Sequence, residues 1–200
     1  MTARALSLWC VAAMLGAAAA CSGTTPVSPS ATPTAPLATS SRALATPAGY
    51  STARVPVPLE ARLAGQTYAD PAVPCPGSPL PVAIVSLMSG PVTHMGLAEM
   101  RSQHCIVGQN PDGSLLVSGG AVIRAANGDE IHGTYTGSMY GFSPAPAPGT
   151  LMTAGGMMLL AGGTGRFADA SGQLAWDVEV RATGTGVEAI QGSLKGSIVY

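Results

Sequence analysis

The chain has 200 residues, a formal net charge of −1, and only 10% charged residues. Average soluble domains carry roughly 25%, so this composition argues against amphipathic helices, which need a charged outer face. From Leu59 onward ten acidic residues face six basic ones; such a segment repels a phosphate backbone, and nucleic acid is excluded as a partner.

In chain order, Met1 to Ala5 carries one positive charge and precedes the apolar run LSLWCVAAMLGAAAA, residues 6–20. That run falls short of the about 20 residues a spanning helix needs and matches the core of a signal peptide. It ends Ala18-Ala19-Ala20-Cys21, which resembles a lipobox with Ala18 in place of the usual Leu. The reading is a leader over residues 1–20, cleaved before Cys21. A diacylglycerol on the Cys21 thiol then holds the chain to a membrane of the bacterial envelope. Ordinary cleavage at the A-x-A site is the alternative; it leaves Cys21 as an exposed thiol, which is unusual in an oxidising compartment.

Residues 21–58 are mainly Ser, Thr, Pro and Ala, with only Arg42 and Arg54 charged, and are punctuated by Pro26, Pro29, Pro33, Pro36, Pro47, Pro56 and Pro58. A segment this poor in apolar surface cannot offset the entropy of ordering it. It reads as a disordered tether, roughly 100 Å long at about 3 Å per residue if extended.

Residues 59–200 form the folded domain. Leu174, Trp176, Val178 and Val180 alternate with Asp177, Glu179 and Arg181, and Ile131, Tyr135 and Met139 alternate with polar neighbours. Ile190, Leu194 and Ile198 do the same. Period two marks half-buried strands. The runs predict eight, over 57–66, 81–89, 92–107, 114–125, 129–141, 151–162, 171–182 and 187–200. Asn127-Gly128 predicts a type I′ hairpin with positive φ at both residues. Eight antiparallel strands point to a closed barrel, which leaves no exposed edge; a two-sheet sandwich has the same periodicity. Cys10 leaves with the leader, so Cys75 and Cys105 are either one disulfide or two buried thiols.

The stretch Gly162-Gly163-Thr164-Gly165-Arg166-Phe167 and the residues through Gly172, with Thr93 to Gly96 and Ala125 to Asp129, resembles the allene oxide cyclase/dirigent barrel superfamily, especially its small exported bacterial relatives. The likeness covers residues 92–200 and implies an eight-stranded barrel. Structurally the motif is a turn in which Phe167 plugs the barrel end and Arg166 reaches carbonyls or a carboxylate. A phosphate-binding loop would need a following helix, and a strand follows instead. No segment matches the catalytic stretch of the plant cyclases, so the catalytic residues stay unknown.

His94 and His104, taken on one strand, lie roughly 33 Å apart, too far to share an ion whose ligands sit at about 2 Å. With His132 elsewhere, no metal and no cofactor is expected. Both share the inward parity of Ala98 and Met100, while Glu99 and Arg101 have the opposite parity and form either a surface ion pair or an acid–base pair. Met88, Met95, Met100, Met139, Met152, Met157 and Met158 either fill the barrel or line an adaptable pocket. The leading expectation is a membrane-anchored envelope lipoprotein whose barrel is a non-catalytic binding or structural module, with a small apolar ligand as candidate occupant. The alternatives are a cyclase or isomerase acting on a hydrophobic molecule in the lumen, and a surface module for a protein partner.

Overall fold

The computed structural model describes residues 54–200; the leader, Cys21 and most of the tether lie outside the described residues. Eight strands follow in order: β1 (Val57–Pro74), β2 (Val82–Val92), β3 (Gly96–Gln109), β4 (Leu115–Ala125), β5 (Glu130–Tyr140), β6 (Leu151–Gly163), β7 (Ser171–Arg181) and β8 (Val187–Val199). Each pairs antiparallel with the next, and β8 returns to β1 to close a barrel. The only helical piece among the described residues is a single 3₁₀ turn, Gly165–Phe167. The domain is therefore all-β and a closed barrel, and the sandwich is set aside.

Three details differ from expectation. β1 starts at the expected residue, Val57, but runs on past the predicted end at 66 to Pro74. β2 runs on to Val92, and β3 begins only at Gly96. Between them Thr93 is tied to β1, its hydroxyl donating to the Glu60 carbonyl and accepting from the Glu60 N–H. The Asn127-Gly128 hairpin is not type I′. Gly128 alone has positive φ, at 89°. Its N–H donates to Ala125 O at 2.9 Å, and the Ala125 N–H donates to Asp129 O at 2.9 Å. This is the longer hairpin loop with one left-handed glycine, whose extra residue accommodates a stronger local twist.

Inward positions alternate large and absent side chains. On β5 the order is Ile131, Gly133, Tyr135, Gly137, Met139; on β8 it is Ile190, Gly192, Leu194, Gly196, Ile198. A small barrel cannot hold a large side chain at every inward position, and glycines make room for those of neighbouring strands. A Cβ on Gly137, for example, would stand 2.4 Å from Cζ2 of Trp176.

The two ends differ. At one end, Leu59, Ala98, Ile131, Leu174 and Ile198 pack solidly beneath Phe167, which has no exposed surface. Phe167 stacks on Tyr200 with ring centroids 4.9 Å apart, and the Arg166 guanidinium lies 4.8 Å over its ring. Arg166 also donates to the His94 carbonyl and pairs with Asp129 at 3.4 Å. The other end is ringed by the longer connections 75–81, 141–150 and 182–186.

At that second end a disulfide joins Cys75, just past β1, to Cys105 on β3, with Cα atoms 5.7 Å apart. It spans 30 residues, and closing such a loop stabilises the fold by about 3–4 kcal/mol in the chain-entropy model. The Cys75→Ala/Cys105→Ala variant is expected to melt roughly 10 °C lower. An unchanged melting temperature in calorimetry would mean the bridge adds nothing to the barrel.

Candidate functional site

The lumen is not filled from end to end. Above the packed end lies a cavity of about 220 Å³ that reaches the rim between Tyr68, Leu80, Phe142 and Glu188. It exceeds the roughly 150 Å³ apolar cavity that takes up a benzene ring. Five methionines, Met88, Met100, Met139, Met152 and Met158, line it. Met95 is buried outside it, and Met157 points outward, 44% exposed.

The walls are unequal. On β6 to β8 the cavity meets Ala154, Trp176, Val178, Ile190 and Leu194. On β1 to β3 it meets hydroxyls set side by side, because the register places Thr67 opposite Ser86 and Ser86 opposite Ser102. Ser86 Oγ donates to Thr67 Oγ1 at 3.0 Å, and Thr67 donates to the Val85 carbonyl at 3.0 Å. All three are buried.

Next along β3 is His104. Its ring Nδ1 lies 2.9 Å from the Tyr135 hydroxyl on β5, two strands away. Gly119 on β4 is the register partner of both residues. A Cβ there would stand 2.6 Å from His104 Cβ, so the missing side chain is what lets the imidazole and the phenol meet across β4. Tyr135 in turn packs edge-on against Trp176, centroids 5.3 Å apart, and the indole Nε1–H donates to the Thr136 carbonyl at 3.3 Å. The three rings form a band from β3 to β7.

Burial lowers His104 to about 4. It also pushes Tyr135 up to about 12, with the Ser102 hydroxyl beside it pulling the other way. At neutral pH both rings are therefore uncharged. Nε2 of His104 has no hydrogen-bond partner, alone among the buried side-chain nitrogens and oxygens of the described residues. An orphan of this kind costs about 1–3 kcal/mol and, beside a cavity, marks a place for a polar ligand atom.

The other histidines are elsewhere. His94 is not on β3: it occupies the β2–β3 turn with φ 66° and contacts the Pro58 carbonyl at 2.9 Å through Nε2. His132 lies on the outer wall beside Glu130 at 3.0 Å. No group of metal-ligating residues forms among the described residues. Glu99 and Arg101 face outward and make no ion pair with each other. Gly162 to Phe167 close the packed end, far along the strands from the cavity rim. Sequence reasoning gave His104 its inward parity, but it missed Tyr135 as its partner. Tyr135 was legible only as an inward residue, since the meeting depends on the register of three strands.

No protein-family model, curated protein or solved structure matches the chain.

Burying His104 uncharged ties stability to pH. The unfolded imidazole takes up its proton near pH 6.5, the folded one only near 4, so between those values the unfolded state binds more protons. The contribution is complete above pH 6.5 and is lost as pH falls toward 4, at roughly 2–3 kcal/mol in total. Urea titrations at pH 7, 5.5 and 4.5 should show a steeper decline for the native chain than for His104→Gln. Parallel declines would place His104 in water.

Proposed function

We propose that this is an exported, lipid-anchored envelope protein whose barrel binds a small, largely apolar molecule inside its lumen without transforming it. The observation that carries this reading is the methionine-lined cavity, open at one rim and closed by Phe167 at the other. Methionine side chains are flexible and polarizable, so they adapt to an apolar guest. A wall of Trp, Val, Ile and Leu supplies the apolar contact, while a few convergent polar groups fix orientation, as in ligand sites generally.

The anchoring part rests on the Ala18-Ala19-Ala20-Cys21 sequence and the proline-rich segment after it. With Cys21 acylated, the tether presents the barrel away from the bilayer, where a ligand can enter at the rim. The disulfide between Cys75 and Cys105 suits an oxidising compartment. An eight-stranded closed barrel is the architecture that a likeness to the allene oxide cyclase/dirigent superfamily would imply.

A cyclase reading draws some support from the same cavity and from the His104–Tyr135 pair. Against it, the one carboxylate lining the cavity among the described residues is Glu188 at the rim. Binding is thus the function the geometry favours.

Native mass spectrometry of protein solubilised from the envelope tests the proposal. The expected result is a chain beginning at diacylglyceryl Cys21 with a non-covalent small-molecule adduct. Ala154→Phe, which places a ring in the cavity, should lose that adduct while keeping the lipid. A native chain with no adduct, or an adduct equally abundant in Ala154→Phe, would overturn lumenal binding. An unmodified Cys21 would overturn the anchor.

A further inference from the structure

Most of the buried polar groups of the lumen are partnered within the protein. Ser86 donates to Thr67 and Thr67 to the Val85 carbonyl, so that pair satisfies itself. Trp176 donates to Thr136 O. The Tyr135 phenol is a better donor than acceptor, and its hydroxyl has the imidazole Nδ1 at 2.9 Å, so the consistent direction runs from Tyr135 to Nδ1 of His104. A neutral imidazole holds one ring proton; with Nδ1 accepting, that proton sits on Nε2. The atom left without a partner is then a donor.

Resting on the lumenal-binding reading above, we propose that the ligand carries a neutral hydrogen-bond-accepting oxygen, as in a ketone, ester or ether on an otherwise apolar skeleton, and that His104 Nε2–H donates to it. Two observations narrow the class. Among the described residues no Lys or Arg lines the cavity, so a carboxylate or phosphate would enter without a counter-charge, which is costly in an apolar site. A pure hydrocarbon would leave Nε2–H unmet. The ligand's oxygen therefore lies toward the β3 wall and its apolar body against Trp176, Val178 and Leu194. The methionines between them, Met88 and Met100 on β2 and β3 and Met158 on β6, shift to admit it.

A matched pair of probes separates this from simple hydrophobic binding. Acetophenone and α-methylstyrene have the same shape and differ in C=O against C=CH₂. Calorimetric titration of each into the mature full-length chain gives a ratio of Kd values. Replacing the ring by His104→Phe should move that ratio against acetophenone by about ten-fold, equivalent to about 1.4 kcal/mol. His104→Gln, which retains an N–H donor, should restore most of it. In the native chain, ¹⁵N-histidine spectra should show a protonated Nε2 that shifts with acetophenone and not with α-methylstyrene; this holds even if a variant fails to fold. A ratio unchanged by His104→Phe, or an unprotonated Nε2 in the native chain, overturns the donor role while leaving lumenal binding standing. Failure of the native chain to bind either probe overturns the lumenal reading itself.

Discussion

The seam between β1 and β8 is the constraint from which the rest follows. Its register runs without interruption from Val57–Ile198 to Tyr68–Val187, so the sheet has no free edge and every inward position faces a common interior. In an open sheet, the same alternation of Leu, Ile, Met and Gly would expose one apolar face and two unpaired edges, a combination prone to aggregation. Closure instead converts one face into a lumen, and the sizes of the inward residues decide whether that lumen is solid or hollow. Near Phe167 they are large enough to fill it. Higher up, Gly119 and Gly137 admit the close approach of His104 and Trp176, and the cavity lies between that ring band and the methionines.

That band explains why an energetically awkward group persists in the interior. A neutral imidazole with one satisfied and one orphaned nitrogen is a poor choice for stability alone, where apolar replacements of both partners would cost little. Its environment is nonetheless well constructed. Gly119 clears the path to Tyr135, Ser102 supports the phenol, and Trp176 backs the phenol ring. A local sacrifice of stability surrounded by supporting contacts is the pattern expected at a functional site. Stabilising elements lie elsewhere, in the Cys75–Cys105 bridge and the Phe167 plug with its Arg166–Asp129 tie.

Much of this fold was legible in the sequence because period-two alternation survives wherever one face is buried, and β4 to β8 fall within a residue or two of the predicted runs. The misreadings have local causes. Asn-Gly permits two hairpin geometries, and which one forms depends on the twist of β4 and β5 rather than on the dipeptide. His94 shares the parity of β3 only if the strand begins at residue 92; Thr93, bonded to β1, ends β2 there and puts His94 in a turn. The site was half visible. His104 and the methionines carried the inward parity, but the contact between His104 and Tyr135 needs both pairings of β4, and no single-strand pattern encodes that. The cavity depends on how inward side chains from all eight strands meet, which composition alone does not locate.

The central claim is that the barrel interior is hollow between the ring band and the methionines. A crystal structure of the mature protein under xenon pressure tests it most directly, since xenon enters dry apolar cavities without requiring a particular ligand. Xenon density bounded by Met100, His104, Met158 and Trp176 is the predicted result. A lumen in which the methionines have collapsed to leave no xenon site would contradict the account.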